Sequence, residues 1–315
     1  MYNVYTQISQ KVPGAYADQE KDMIRMRDYV EKKAYAKINL GLDVLRRRED
    51  GYHEVKMIMQ TVDIWDRLTF AISSEPEIEL AVGGAPLPAG RDNLIYRAAE
   101  LIKNEKKIDR GIKITLEKNI PVAAGMAGGS TDAAAVFHGF NELFDLSMSL
   151  EEMKKLGVRI GADVPYCIMG GTALSEGIGE LLTQLPAPPE CVLAVAKPDI
   201  DVSTKFVYEN LHADRLERHP DIDGMAEAIK TGDLKGITER MENVLETVTI
   251  REYPVINKIK ELMKTKGAVS ALMSGSGPTV FGIFMEREAA QKAVDDIRKQ
   301  GLARQVFVTT FYNAG

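Results

Sequence analysis

Three glycines and a following helical pattern mark the segment 121–132, which reads PVAAGMAGGSTD and leads into an apolar helical run over 133–144. Glycines let the backbone approach a ligand without intervening side chains. The first turn of a helix has unpaired N–H groups and a positive dipole end, so the segment favours an anion such as a phosphate. The same pattern also fits a flexible loop whose Ser130 or Thr131 caps the helix. Other segments must distinguish the two interpretations.

Better-known phosphate and nucleophile motifs do not fit the chain. A P-loop needs lysine directly after its last glycine, but Ser130 follows Gly129. The dinucleotide fingerprint fails because Val280 and Leu182 stand where its third glycine is required. A serine-hydrolase elbow around Ser130 would need glycine where Asp132 stands. If the segment binds phosphate, it belongs to another class of phosphate site.

A carboxylate and an amine elsewhere in the chain could supply the other groups that phosphoryl transfer needs. Asp163 lies in the segment 161–165, GADVP, where the backbone is tightly specified, and Lys37 lies on the polar face of a predicted strand. A carboxylate can accept a hydroxyl proton, and a cation can stabilise developing charge. By residue statistics alone, Asp163 fits a turn or helix cap and Lys37 a solvated lysine. Only proximity to the segment 121–132 would give them a catalytic role.

An aromatic residue and an imidazole follow a turn in the segment 50–54, DGYHE. A histidine followed by glutamate is typical of zinc proteases, but Met57 stands where their second histidine is required. Tyr52 beside His53 could stack on a flat polar ring such as a nucleobase and hydrogen-bond to it. Both residues also fit a simple packing role.

A second glycine-rich turn, MSGSGPTVFG over 273–282, joins two apolar strands. It fits a plain hairpin. It also fits a loop that closes, together with the segment 121–132, on one ligand between two domains, where small-molecule sites are common.

The first half of the chain predicts mixed strands and helices. Apolar and other residues alternate strictly over 34–44, which predicts a half-buried strand whose polar face presents Lys37 and Asn39 roughly 7 Å apart. Ser149 and Glu152 form a capping box at the start of a helix. Further strands are predicted at 55–64, 68–72, 77–82 and 112–116, and a helix at 93–106.

The proline-rich segment 186–189 predicts a short stiff connector, and we place a domain boundary there. The predicted domains are 33–188 and 189–315. In the second domain the order of elements resembles a split βαβ, or ferredoxin-like, unit with extra helices. Its predicted elements are strands at 191–196, 268–273, 279–284 and 305–311 and helices at 254–266 and 286–300. The chain is therefore predicted to be an α+β protein.

Composition limits the class of partner and the compartment. A formal net charge of -6 gives no overall attraction to nucleic acid or anionic membranes. Cys167 and Cys191 form neither a disulfide framework nor a zinc ligand set, which suits a reducing cytoplasm. No apolar run approaches the roughly 18 residues that span a bilayer. Residues 1–32 lack a signal peptide's apolar stretch and are predicted to be an N-terminal extension that is disordered in part.

Three segments in order, AKINL at 36–40, the segment 121–132 and SGSGP at 274–278, resemble the signature segments of the GHMP small-molecule kinases. Four others are similar to the branch of that family that phosphorylates a cytidyl-diphospho-methylerythritol. They lie at 50–53, 92–95, 161–165 and 173–180. The resemblance covers about residues 33 to 315. It implies a two-domain GHMP kinase fold, with an N-terminal α/β domain like those of ribosomal proteins and a ferredoxin-like C-terminal domain.

The resemblance also implies a reaction. ATP would phosphorylate the 2-hydroxyl of the cytidyl substrate, a step of the non-mevalonate route to isoprenoid precursors. Mg²⁺ would be carried by the nucleotide, without an assigned protein ligand. By family analogy Asp163 is the base that accepts the hydroxyl proton. Lys37 orients that hydroxyl and Asp163 and stabilises charge.

Binding roles follow from the same resemblance. Asn93 and Lys118 would lie near the adenine or ribose of ATP. Asn39 and His53 would bind the second substrate, with Tyr52 stacked on its cytosine. The segment 198–208 would bring Thr204 to the substrate and Tyr208 to the opposite face of the cytosine. The ATP phosphates would be wrapped by Pro121, Val122, Ala123, Ala124, Gly125, Met126, Ala127, Gly128, Gly129, Ser130 and Thr131.

Two alternatives remain at this stage. One is another GHMP kinase, acting on homoserine, mevalonate or a sugar. The other is an RNA-binding module, because the family's first domain resembles folds found in translation proteins. The acidic charge balance and the lack of a basic aromatic patch disfavour RNA. We therefore expect a small-molecule substrate, no nucleic-acid or membrane partner, and a monomer or homodimer.

Overall fold

Two long strands dominate the first sheet of the computed structural model, which describes residues 29–313. Strand β1 (Tyr29–Arg47) pairs antiparallel with β2 (His53–Ser73) along almost its whole length. Residues 29–32, assigned to the extension from the sequence, therefore belong to this sheet. Residues 1–28, the rest of that extension, lie outside the described residues. The two strands predicted within 53–73 are one continuous strand.

Shorter strands complete the first sheet on the other side of β2. They are β3 (Ile78–Gly83), β4 (Gly111–Glu117), β5 (Thr172–Glu176) and β6 (Leu181–Leu185). Within the described part of the chain the strand order is β3-β4-β2-β5-β6, with β1 paired to β2, and β3 is parallel to β4. The associated helices are α1 (Leu94–Lys106), α2 (Gly128–Leu143), α3 (Leu150–Gly157) and α4 (Val164–Met169).

Local capping explains where two of these helices begin. The Asn93 side chain accepts a hydrogen bond from the backbone N–H of Ile95 at the start of α1. The Ser149 hydroxyl accepts one from the N–H of Glu152 at the start of α3, as the capping pattern predicted. Each bond satisfies an N–H group that a helix leaves unpaired in its first turn.

The prediction that β1 is half-buried was wrong, because its polar face is also covered. Lys37, Asn39 and Asp43 are at most 5% exposed. The backbone N–H of Lys37 donates to the carbonyl of Met126, so the loop before α2 lies along the edge of β1. On the polar face, His219 Nδ1 lies 2.9 Å from Asp43 Oδ1. The alternation in the sequence identifies the two faces of a strand, but tertiary contacts decide whether the polar face meets water.

The second half of the chain forms a second sheet with associated helices. The strands are β7 (Val192–Lys197), β8 (Ser270–Met273), β9 (Val280–Phe284) and β10 (Gln305–Thr310). The helices are α5 (Thr204–Asn210), α6 (Ile222–Lys230), α7 (Leu234–Glu239), α8 (Glu246–Glu252), α9 (Val255–Thr265) and α10 (Arg287–Lys299).

The second sheet has the ferredoxin-like order β10-β7-β9-β8, with every adjacent pair antiparallel. In the chain, α9 directly precedes β8 and α10 connects β9 to β10, as in the split βαβ arrangement. The predicted α+β fold with a ferredoxin-like second half is thus confirmed.

Backbone hydrogen bonds join the second half to the middle of β1. The N–H of Leu42 donates to Glu242, and the N–H of Val244 donates to Leu42. Between them, the Asn243 amide donates to the carbonyls of Met273 and Gly275, at 2.9 and 2.8 Å. These bonds fix the second glycine-rich turn relative to the strand that carries Lys37 and Asn39.

Within residues 29–313 no helix combines the length and the apolar character needed to cross a bilayer.

Candidate active site

A cavity of about 790 Å³ lies between segments of the two halves. Its volume is within the range of small-molecule sites. Most of the predicted site residues line it together: Lys37, Asn39, Tyr52, His53, Lys118, Pro121, Val122, Ala123, Ala124, Gly125, Ala127, Gly128, Gly129, Ser130, Asp163, Thr204 and Tyr208. The three signature segments of the sequence therefore meet at one place.

Helix α2 begins inside the glycine-rich segment, and no side chain among the described residues caps it. Its N-cap residue is Ala127, in a left-handed conformation with φ 55°. Ser130, one of the two predicted caps, lines the cavity. The other, Thr131, instead donates from its hydroxyl to the carbonyl of Tyr35, at 2.6 Å. The first-turn N–H groups of α2 thus have no side-chain acceptor, which leaves the helix start suited to an anion.

The two glycine-rich segments touch at Gly125. Its φ is +69°, and a Cβ atom there would lie only 2.2 Å from the Ser274 carbonyl oxygen. The Ser274 hydroxyl donates to the Gly125 carbonyl at 2.9 Å. The segment 273–282 is therefore both a hairpin turn, between β8 and β9, and a wall of the cavity, where Gly275 and Ser276 lie.

A buried cation and a partly exposed carboxylate face each other in the cavity. Lys37 Nζ lies 3.8 Å from Asp163 Oδ2 and donates to Asn39 Oδ1 at 2.7 Å. The side chain of Lys37 is 6% exposed and that of Asp163 is 34% exposed. Asn39 therefore holds the ammonium next to a carboxylate that a ligand can reach.

Tyr166, which sequence reasoning missed, anchors the short helix that follows Asp163. Its hydroxyl donates to the Gly171 carbonyl at 2.7 Å and shares a hydrogen bond with the Thr61 hydroxyl at 3.0 Å. Burial raises the pKa of Tyr166 well above its usual value, so it remains a neutral donor. No sequence signal identified it, because a tyrosine in an apolar run fits ordinary packing.

Aromatic residues gather at another part of the cavity wall. The rings of His53 and Tyr208 are 5.1 Å apart between centroids, while Tyr52 is 59% exposed. Burial, and secondarily the charge of Arg47, lowers the pKa of His53 below its usual value. The Thr204 hydroxyl lies 2.8 Å from that of Ser276, which links α5 to the second glycine-rich turn.

Two cations at the cavity were missed by sequence reasoning. Arg47, at the end of β1, and Lys205, in α5, both line it. Neither stands in a recognisable motif, so the sequence offered no signal for them.

Three residues predicted to bind ATP do not line the cavity. Asn93 uses its side chain to cap α1 and to donate to the Pro88 carbonyl, at 2.8 Å. Met126 is 1% exposed and packs in the core. Thr131 is bonded to the Tyr35 carbonyl. Their side chains stabilise the segments around the cavity, and the ATP-binding roles predicted for these three residues stay predictions.

The side chain of Lys118 lies against the start of α2 and lines the cavity. Its ammonium donates to Asp66 and to Asp132, the latter at 2.8 Å, and its side chain is 3% exposed. Among the described residues, no group of three or more histidine, cysteine or acidic side chains is arranged to hold a metal ion.

Comparison with known proteins gives two family matches and close full-length relatives. Residues 93–171 match the GHMP kinases N terminal domain, and residues 225–303 match the GHMP kinases C terminal domain. The chain is 54% identical over 280 residues to a 4-diphosphocytidyl-2-C-methyl-D-erythritol kinase of Lachnospira eligens, covering 89% of this chain and 97% of the relative.

Solved structures show the same architecture. A 4-(cytidine 5'-diphospho)-2C-methyl-D-erythritol kinase superposes with a TM-score of 0.77 at 33% identity, covering 90% of this chain and all of the other. A homoserine kinase from Cytophaga hutchinsonii superposes with a TM-score of 0.74 at 19% identity, covering 98% of this chain and 97% of the other. At that identity the homoserine kinase shares the fold alone.

Proposed function

The chain belongs to the GHMP kinases and, within them, to the 4-diphosphocytidyl-2-C-methyl-D-erythritol kinases, and we propose that its cavity transfers the terminal phosphoryl group of ATP to the 2-hydroxyl of that cytidyl alcohol. The predicted family and the small-molecule kinase activity are confirmed by the relatives. The alternative of a homoserine or mevalonate kinase is disfavoured, because those structures are at most 20% identical to this chain.

The nucleotide fits the glycine-rich side of the cavity. The uncapped start of α2 offers backbone N–H donors, and the glycines allow the phosphates to approach the backbone. Mg²⁺ carried by the nucleotide would offset phosphate charge. In this proposal the residues 121–130 that line the cavity hold the phosphates. The resemblance implied a place near the adenine or ribose for Lys118. We propose instead that it contributes a cation to the phosphates, because a Cβ atom on Gly128, at the start of α2, would lie only 2.9 Å from its ammonium.

The observation that carries the mechanism is the pairing of Lys37 with Asp163 in the same cavity as this phosphate site. Asp163 accepts the proton of the acceptor hydroxyl as the oxygen attacks the terminal phosphorus. Lys37, held by Asn39, stabilises negative charge at the hydroxyl oxygen and at the transferring group. Alignment of the two substrates supplies much of the remaining acceleration.

The aromatic part of the wall suits the cytosine of the acceptor. Tyr52 supplies an exposed ring for stacking, and Tyr208 a second ring beside His53. The neutral imidazole of His53 can hydrogen-bond to the base, and Thr204 lies where the second glycine-rich turn meets α5. We further propose a domain boundary between residues 188 and 189, since the chain leaves the first sheet at Leu185 and enters the second at Val192. The first domain then begins at Tyr29 rather than at residue 33, because β1 starts there.

The test of the proposed function is ADP release by the purified protein with separate acceptors. We expect ATP-dependent turnover with 4-diphosphocytidyl-2-C-methyl-D-erythritol and one phosphate added per ADP formed. Homoserine, mevalonate and galactose should give only background rates. Turnover of homoserine without turnover of the cytidyl alcohol would overturn the assignment.

Replacing Tyr52 by alanine should raise KM for the cytidyl alcohol about tenfold and change kcat by less than about threefold. Stacking of a base on an aromatic ring is worth roughly 1–3 kcal/mol, and it is made before as well as during phosphoryl transfer. Steady-state kinetics at saturating ATP measures both constants. Tyr29, 51% exposed at the start of β1, is the matched control, and Tyr29→Ala should leave KM unchanged. An unchanged KM in Tyr52→Ala would contradict stacking.

KM for the cytidyl alcohol should be flat from pH 8 to about pH 6.5, the ordinary pKa of histidine, and rise at lower pH. Because burial lowers the pKa of His53, its imidazole stays neutral through this range. Below its pKa it becomes a second cation beside Arg47, and covering it with a base then costs more desolvation. The rise should approach tenfold per pH unit at most. His53→Asn should remove this rise, and a rise that persists in the variant would assign it to another group.

A further inference from the structure

We infer that Asp66 and Asp132 are positioning residues for nucleotide binding, which hold the Lys118 ammonium against the start of α2 so that it faces the phosphate side of the cavity. The inference deepens the proposed function and rests on it. The ammonium lies between carboxylates from two elements, Asp66 from β2 and Asp132 from α2. All three side chains are at most 3% exposed, so their arrangement is fixed by packing.

Asp66 also shapes the backbone that leads into the glycine-rich segment. Its Oδ1 accepts from the N–H groups of Asn119 and Ile120, at 2.5 and 2.8 Å. Its Oδ2 accepts from Lys118 Nζ. One carboxylate therefore orients the lysine side chain and the turn directly before Pro121.

Gly128 shows how closely the ammonium approaches the helix. A Cβ atom on Gly128 would lie 2.9 Å from Lys118 Nζ and 3.2 Å from Ile120 Cγ2. The ammonium thus occupies the space that a side chain at the first residue of α2 would take. A cation next to the positive end of a helix dipole is unfavourable on its own, so helix stability does not account for this placement.

The hydrogen-bonding capacity of the cluster is not exhausted. An ammonium has three donors, and the two carboxylates use two of them. Lys118 lines the cavity, so the third can be offered to a nucleotide oxygen. Within residues 29–313, Asp132 Oδ1 is buried without a hydrogen-bond partner, a state that is unusual for a buried carboxylate oxygen. Burial raises the pKa of Asp132 well above its usual value. The Lys118 ammonium opposes this increase in pKa, whereas the neighbouring Asp66 carboxylate adds to it.

The test measures dissociation constants of a nonhydrolysable ATP analogue by calorimetry, without an acceptor. We expect Asp132→Asn and Asp66→Asn each to weaken analogue binding about tenfold, with Kd for the cytidyl alcohol changed less than twofold. Gly128→Ala should do the same, because its Cβ displaces the ammonium. Alanine suits this helical position, so this variant remains informative if a buried aspartate variant does not fold.

A double-mutant cycle separates positioning from a general structural role. In the Lys118→Met background, Asp132→Asn should cause no further loss of analogue affinity, because the group it positions is gone. The control is Lys260→Met, which breaks the buried pair with Glu246 in the second half and should lower stability without changing analogue affinity.

Each outcome bears on a different claim. Unchanged analogue affinity in Gly128→Ala and the aspartate variants, or additive losses in the cycle, would overturn the positioning inference while leaving the proposed function intact. A wild-type protein that binds no ATP analogue would overturn both.

Discussion

Asp163→Asn is expected to lower kcat by about a hundredfold to ten-thousandfold, the usual contribution of a well-placed general base. The amide keeps the size and shape of the carboxylate but cannot accept the hydroxyl proton. Asp163 lies 3.8 Å from the buried Lys37 ammonium, so the two groups can act on the same reacting centre. Because the phosphate site is formed by other residues, Kd for an ATP analogue should change less than about threefold.

Single-turnover kinetics with both substrates saturating measures this loss at the chemical step. Glu209 provides a matched carboxylate, since it lines the cavity but lies 3.8 Å from Lys205 rather than next to Lys37. Glu209→Gln should leave the rate within about threefold of the wild type. A near-normal rate in Asp163→Asn would assign proton acceptance to another group.

Gly125→Ala is expected to raise KM for ATP by about tenfold or more. Alanine at φ +69° is strained by about 1–2 kcal/mol, and here its Cβ would also meet the Ser274 carbonyl oxygen at 2.2 Å. The backbone on one side must therefore move, and the two glycine-rich segments that line the cavity separate. The hydrogen bond from Ser274 to the Gly125 carbonyl should be lost with them.

Gly232→Ala is the matched control, because Gly232 has φ +68° and an added Cβ there meets nothing within 4 Å. It should show the backbone strain as a lower thermal midpoint, with KM for ATP unchanged. Equal kinetic effects of the two substitutions would mean that contact between the glycine-rich segments is not needed for nucleotide binding.

The fold was largely predictable because its signals are local. Alternation identified β1, and the spacing of apolar segments after residue 189 gave the ferredoxin-like order. The burial of Asn39 and Asp43 was not predictable, since it depends on distant segments that carry Gly275 and His219. A local pattern does not specify which distant segment covers it.

The site residues that lie in sequence motifs were predictable. Contacts between residues far apart in the chain were not predictable from the sequence pattern alone. The pairing of Lys37 with Asp163 joins residues far apart in the chain, and only the family resemblance brought them together. Asp66 escaped notice because its partner Lys118 is 52 residues away and Asp66 itself stands in no recognisable motif. Asn93 was assigned to the nucleotide by resemblance, although its place before α1 indicates the cap that the structure shows.

The most direct measurement is a crystal structure with a nonhydrolysable ATP analogue and the cytidyl alcohol bound together. We expect the 2-hydroxyl to lie within about 2.6–3.2 Å of the Asp163 carboxylate. We also expect the terminal phosphorus on the far side of that oxygen and the phosphates against the start of α2. A 2-hydroxyl bound away from Asp163, or phosphates outside the glycine-rich segment, would contradict the proposed mechanism.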